Sequence, residues 1–107
     1  MKTPLLILLA SLVAGCSASP AARDSIADPG QLLFNGYTHK NVDCYSCHAG
    51  DATGTWKGPN LVHSAAKKPR EKLAKAIRKG PGIMPAFKDK LTDPEVGEIL
   101  DWIESLK

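Results

Sequence analysis

Cysteine is scarce in this chain, and aromatic residues are few. Only three of the 107 residues are cysteines, and Trp, Tyr and Phe occur twice each. Two of the cysteines stand close together at 44 and 47, so no pair remains for a disulfide between distant parts of the chain. The alternation of apolar and polar residues that marks strands is absent, as are internal repeats and low-complexity segments. These absences predict an all-α fold that something other than a disulfide holds together.

Long hydrophobic runs are also missing. The apolar run at 5–13 is too short to span a bilayer, which takes about 20 residues. It follows Lys2 and precedes small residues, a pattern typical of a signal peptide at 1–15; an ordinary secretory signal and a buried core helix are the alternatives. The segment Val-Ala-Gly-Cys that ends at Cys16 resembles the bacterial lipobox, which implies a diacylglycerol on the cysteine. We therefore expect lipidated Cys16 and a flexible tether at 16–27, and a folded domain at 28–107.

The charge balance excludes one class of partner. With 14 basic and 11 acidic residues the formal net charge is only +3, and no basic patch is interleaved with aromatic residues. A nucleic-acid-binding surface is usually strongly basic. Nucleic acid is therefore not an expected partner.

Capping signals predict two helices in the first part of the domain. Asp28 is a good N-cap before Pro29, and Gln31 stands where a capping-box partner would, so a first helix begins there and ends before the cysteines. A second helix is predicted at 69–79, because Gly80 supplies a C-cap at its end. Its apolar face is formed by Leu73, Ala76 and Ile77.

A third helix is predicted at 93–106, after a turn-rich segment at 50–59 and the second helix. Thr92 or Asp93 caps it, and Glu95 completes a capping box with Thr92. Gly97 costs about 1 kcal/mol in a helix interior relative to alanine, and a close crossing by another helix is one explanation for it. The apolar stripe of this helix consists of Val96, Ile99, Leu100, Ile103 and Leu106.

The sequence Cys44-x-x-Cys47-His48 carries the chemistry. Thiols at this spacing can add to two vinyl groups on one edge of a porphyrin, and the adjacent histidine then binds the iron through Nε2. A thioredoxin-like dithiol would need a βαβ context, and a zinc site would need matching ligands that His39 and His63 do not provide. We therefore predict one covalent haem c. It would also give a domain of about 80 residues the apolar centre that so short a chain lacks.

Met84 is the predicted second axial ligand. It is the only methionine after Met1, and it lies at 80–87 among prolines and glycines that predict a stiff extended loop. Methionine is more often a core gap-filler, but a stiff loop can hold a thioether at a fixed distance from a metal. The alternatives are His63, His39 and an open or water-bound iron site.

Residues 28–107 resemble a short bacterial class I cytochrome c. The matching pieces are Gly30 and Phe34 in the first helix, the motif at 44–48, Gly58-Pro59-Asn60-Leu61, Met84-Pro85-Ala86-Phe87, and Trp102 in the last helix. The resemblance implies an all-α cytochrome c fold of three to four helices wrapped around one covalent haem. Gly30 and Phe34 would pack across the last helix near Trp102.

The same resemblance implies roles at the haem. Pro59 would present its carbonyl to the Nδ1–H of His48, which orients the ring and strengthens it as a donor. Trp56 or Asn60 would hydrogen-bond a haem propionate, with Trp56 alternatively only an aromatic wall. Together with His48 and Met84, these roles predict an electron carrier and not an enzyme, because six-coordinate iron leaves no position for a substrate.

Two other functions stay open at this point. One is a cytochrome subunit of a larger membrane oxidoreductase. The other is a gas-binding sensor or peroxidase in which Met84 does not bind the iron or dissociates from it easily. The expected location is the periplasmic side of a bacterial membrane, held by lipid on Cys16. The alternative location is the same domain free in the periplasm.

A basic run at 67–79 is the predicted docking surface for redox partner proteins. Such runs are more often solvated helix faces, but basic residues near a haem edge also suit an acidic partner. Glu71 is the only acidic residue in this segment. Its members are Lys67, Lys68, Arg70, Lys72, Lys75, Arg78 and Lys79.

Overall fold

The computed structural model describes residues 28–107. The predicted signal peptide, the lipidated Cys16 and the tether at 16–27 lie outside the described residues. The described part forms five helices, and its only strand-like pairing is an isolated bridge between Thr55 and Gly58. The all-α fold is confirmed, with five helices among the described residues where three to four were expected. They are α1 (Pro29–Phe34), α2 (Tyr45–His48), α3 (Leu61–Lys67), α4 (Arg70–Lys79) and α5 (Asp93–Ser105).

The first helix, α1, begins at its predicted cap. Oδ1 of Asp28 accepts hydrogen bonds from the N–H groups of Gly30 at 2.9 Å and Gln31 at 3.2 Å. The predicted capping box is wrong, because the side-chain Oε1 of Gln31 is buried and finds no hydrogen-bond partner in the described part of the chain. The helix ends at Phe34, with Asn35 as its C-cap.

The last helix, α5, also begins as predicted. The Thr92 hydroxyl accepts from the N–H of Glu95 at 3.3 Å, and the Glu95 carboxylate accepts from the N–H of Thr92 at 2.9 Å. This reciprocal capping box satisfies two backbone donors that a helix otherwise leaves free. Four of the five residues predicted for its apolar stripe are buried, the exception being Leu106 beyond the helix end.

The fold is centred on the crossing of α1 over α5. A β-carbon on Gly30 would overlap the carbonyl oxygen of Glu98 and lie 2.7 Å from Cβ of Trp102. A close crossing does not explain Gly97, since among the described residues a β-carbon there would meet only Nη2 of Arg70, at an ordinary 3.6 Å. The glycine that lets the two backbones touch is Gly30.

The middle of the chain contains one helix that was not predicted. Asn60 caps α3 by accepting the N–H of His63 at 3.2 Å, and this N-cap directly after Pro59 is the signal that would have identified the helix. The next helix, α4, was predicted; Gly80 ends it in the left-handed conformation at φ 64°. No helix in the described range 28–107 is long and apolar enough to cross a membrane.

Two arginines attach α4 to α5. Nη2 of Arg70 lies 2.8 Å from Oδ1 of Asp101, and its Nη1 lies 3.0 Å from Oε1 of Glu104. Nη2 of Arg78 lies 2.9 Å from Oδ1 of Asp93. Exposed pairs of this kind each stabilise a fold by less than about 1 kcal/mol. Their main consequence is directional, because they turn the arginines of α4 toward α5.

Candidate cofactor site

The single-turn helix α2 brings the three residues of the motif to one cleft. It follows Cys44, whose carbonyl oxygen accepts the N–H of His48 at 3.0 Å. Cys44 and Cys47 are half-buried free thiols, and His48 is buried. All three side chains line the same cleft. One turn of helix therefore brings both thiols and the imidazole to one site, as the spacing of the motif predicts.

The orientation of His48 is set by the segment that precedes α3. Its Nδ1 lies 2.9 Å from the carbonyl oxygen of Pro59. A carbonyl oxygen only accepts, so Nδ1 carries the proton and the lone pair is left on Nε2. Gly58 lies against the same ring, since a β-carbon there would be 2.8 Å from Cε1 of His48. The backbone of this segment thus fixes both the tautomer and the position of the imidazole.

The cleft beside His48 is large and mostly apolar. Its volume is about 350 Å³, within the usual size range for a cofactor site. Its inner end runs into the core, where the lining is almost entirely hydrocarbon. The apolar side chains there are Phe34, Leu61, Leu73, Ala76, Ile77, Ile99, Leu100 and Ile103.

Met84 lines this cleft together with His48. The methionine is half-buried and packs against the core, in a non-helical segment as predicted. Its N–H donates to the carbonyl of Pro81 at 3.1 Å, which closes a tight turn. His48 and Met84 are thus brought to one space from α2 and from the loop that follows α4.

The two rival histidines lie elsewhere. His63 is in the first half of α3 and is exposed. Nε2 of His39 lies 2.6 Å from Oε2 of Glu95, at the start of α5. Neither is among the residues that line the cleft. This placement favours Met84 over both as a ligand.

The acidity of Cys44 bears on the competing thiolate functions. Burial in the apolar cleft is the largest effect on this thiol and raises its pKa to about 12. Dithiol enzymes instead depend on a lowered thiol pKa. The raised pKa of Cys44 therefore disfavours a dithiol enzyme.

The two residues suggested for a propionate contact occupy different positions. Trp56 is 90% exposed at the tip of the turn closed by the Thr55–Gly58 bridge, and it does not line the cleft. Asn60 uses its side-chain oxygen to cap α3. Lys57 does line the cleft mouth, although it was not singled out from the sequence. The propionate role of Trp56 and Asn60 stays a prediction.

Comparison with known protein families identifies the domain. The family described as Cytochrome C oxidase, cbb3-type, subunit III matches residues 27–103, which is most of the chain. The chain belongs to this family of c-type cytochrome domains. Comparison with curated proteins and with solved structures finds no match.

The family and the cleft agree on the cofactor. As a c-type cytochrome the chain carries covalently bound haem c, transfers electrons with redox partner proteins and works outside the cytoplasm. The residues present fit this group: Cys44 and Cys47 line the cleft, and His48 has a free Nε2. The hydrocarbon walls suit the porphyrin ring. The cytochrome c prediction is thereby confirmed.

Proposed function

We propose that this cytochrome is an electron carrier whose iron is held between Nε2 of His48 and the sulfur of Met84. The observation that carries the proposal is that both side chains line one apolar cleft, with Nδ1 of His48 already engaged by Pro59. When bound, haem c supplies a one-electron couple between ferric and ferrous iron.

The protein's own residues would tune that couple. The hydrogen bond from His48 to Pro59 strengthens the imidazole as a donor and holds its ring in one orientation. A thioether from Met84 favours ferrous iron and a high reduction potential. The hydrocarbon walls exclude water from the inner end of the cleft. If His48 and Met84 both hold the iron, no ligand position would be left for a substrate or a gas.

The ligand assignment is tested by spectra and carbon monoxide binding of the holoprotein. Produced with haem-ligation machinery, the wild type should show low-spin haem c with a methionine–ferric iron charge-transfer band, and its ferrous form should resist CO. Met84→Ala should lose the band and bind CO rapidly. His63→Ala is the matched control and should behave as the wild type. Rapid CO binding by the wild type would instead favour the sensor or peroxidase alternative.

The docking of partners is proposed at a groove on α4 that we call the lysine groove. It is lined by Lys68, Lys72, Lys75 and Lys79 together with Leu73, Ala76 and Pro81. Four of these seven residues, Lys68, Leu73, Ala76 and Pro81, also line the cleft, so the groove adjoins the cofactor site.

The charges on α4 support this proposal. Arg70 and Arg78 pair with acidic residues of α5, whereas no lysine of the groove has an ion-pair partner among residues 28–107. Ile83, at the mouth of the cleft, is 85% exposed. Unpaired positive charge beside an exposed apolar side chain suits a brief contact with an acidic redox partner.

A second candidate function is favoured by the family match. The family is described as an oxidase subunit, which favours a cytochrome that works inside a larger membrane complex. Extraction of native membranes with mild detergent separates the two candidates. Co-purification with fixed partner subunits would favour a complex subunit, and recovery as a single haem protein would favour the carrier.

The tether is proposed from the lipobox-like segment that ends at Cys16. Lipid on this residue would hold the domain at the periplasmic face of a membrane. Cys16→Ser should release the coloured protein from the membrane fraction into the periplasmic extract. Equal distribution of the wild type and the variant would remove the tether from the proposal.

A further inference from the structure

The backbone of the methionine loop lies directly against Gly80. A β-carbon on Gly80 would overlap the carbonyl oxygen of Met84, and it would lie 2.5 Å from the carbonyl carbon of Pro85 and 2.6 Å from the nitrogen of Ala86. Real β-carbons essentially never approach other atoms within 3.0 Å. All three contacts are backbone atoms, so no side chain can rotate away to make room. A β-carbon at this position must therefore displace the chain at 84–86.

The loop is held on both sides of this contact. On one side, the turn between Pro81 and Met84 is closed by a backbone hydrogen bond of 3.1 Å. On the other side, the N–H of Phe87 donates to the carbonyl of Ile77 at 3.0 Å, and the side chain of Phe87 is buried. The N–H of the next residue, Lys88, donates to the end of α4 as well. If the backbone at 84–86 is displaced, the change in its path must fall between these two anchors, and this is the part of the loop that carries Met84.

Gly82 provides a built-in comparison. Gly80 and Gly82 both have a positive φ, of 64° and 60°. A β-carbon on Gly82 would meet no atom of residues 28–107 within 4 Å, because this residue is exposed on the outside of the turn. Substitution at either glycine places a β-carbon at a positive φ, which strains the backbone, but only substitution at Gly80 also pushes on the Met84 backbone.

We propose that Gly80 is a positioning residue that sets how far the Met84 sulfur reaches into the cleft. It does so by letting the backbone at 84–86 lie against its α-carbon, as well as by ending α4. The inference rests on the proposed role of Met84 as the axial ligand. In this view Gly80 does more than end α4. It also fixes the path of the loop between α4 and Phe87, and that path sets the position of the Met84 sulfur.

The test compares Gly80→Ala with Gly82→Ala in the holoprotein. Because the haem is covalent, a variant with a loosened loop keeps its cofactor. Gly80→Ala should lose the methionine–iron charge-transfer band, and its ferrous form should bind CO at a rate approaching that of Met84→Ala. Gly82→Ala should keep the wild-type spectrum and CO resistance. Equal spectra and CO rates for the two glycine variants would overturn the inference.

Two further variants keep the result decisive. If Gly80→Ala does not fold, Gly80→Asn replaces it, since asparagine tolerates the left-handed conformation better while retaining a β-carbon; Gly82→Asn is its control. Met84→Ala tests the ligand independently. A wild-type spectrum for Met84→Ala would defeat the ligand assignment itself and the inference with it, whereas an altered spectrum for Met84→Ala alone would defeat only the inference.

Discussion

The aromatic rings of Phe34 and Trp102 lie 5.0 Å apart, tilted by 53°, where α1 crosses α5. This separation is typical of a favourable aromatic pair. The rings meet because α1 approaches α5 with no side chain between the backbones at Gly30. Phe34 also lines the cleft, so this crossing supplies part of the apolar wall of the cofactor site.

Gly30→Ala should destabilise the protein strongly. The new β-carbon would overlap the Glu98 carbonyl and crowd Trp102, and overpacking of a core contact costs about 1–3 kcal/mol or more. Gly97→Ala is the matched control in the same helix pair. Its β-carbon has room, so it should stabilise α5 by up to about 1 kcal/mol. Denaturant unfolding of both holoproteins measures the difference, and equal effects would contradict the assignment of the crossing to Gly30.

Gly58→Ala should disturb the histidine ligand. Its β-carbon would lie 2.8 Å from Cε1 and 2.9 Å from Nδ1 of His48, so the ring must move away from the Pro59 carbonyl. A weaker hydrogen bond makes the imidazole a poorer donor to ferric iron, and we expect a raised reduction potential. Redox titration measures this potential. In the control Gly50→Ala the new β-carbon would meet only a side-chain oxygen of Asn35, at 3.1 Å; a potential shift as large as that of Gly58→Ala would count against the explanation.

Acid should weaken the start of α5. Hydrogen bonds from the backbone N–H of Thr92 and from His39 lower the pKa of Glu95 below its ordinary value of 4.5. The carboxylate therefore stabilises the fold above about pH 4.5, and this stabilisation is lost as the pH falls through the lowered pKa. Unfolding free energies measured across this range should fall less steeply for Glu95→Gln than for the wild type. The exposed Glu71→Gln is a control for loss of one charge, and it should keep the wild-type slope; an unchanged slope for Glu95→Gln would refute the prediction.

Charge reversal in the lysine groove should slow electron transfer at low salt. The double change Lys72→Glu with Lys75→Glu removes the attraction for an acidic partner, and steering of this kind changes association rates by about tenfold or more. Lys40→Glu with Lys107→Glu is a control of the same net charge outside the groove. Stopped-flow rates for the variants should converge at high ionic strength, where screening shortens the range of the charges. Rates that do not depend on salt in any variant would remove the docking proposal.

The site was largely predictable because its signals are local. The spacing of Cys44, Cys47 and His48 needs only one helical turn, and α2 supplies it. Asp28 and Thr92 act on backbone N–H groups two or three residues away, so the starts of α1 and α5 could be identified without knowing the fold. The end of α4 at Gly80 follows from a single residue in the same way. Each of these features depends on neighbours along the chain.

The remaining features depend on residues that are far apart in the sequence. Composition and periodicity did not distinguish Gly30 from Gly97, because the distinction is which glycine another helix touches; only the family resemblance pointed to Gly30. Periodicity did not reveal that the arginines of α4 face α5 while its lysines remain available. The contact between Gly80 and the Met84 backbone likewise exists only once the loop is anchored to α4. Capping and motif spacing were therefore determined by the sequence itself, whereas close approach and charge pairing were decided by tertiary packing, because they require distant segments to share one space.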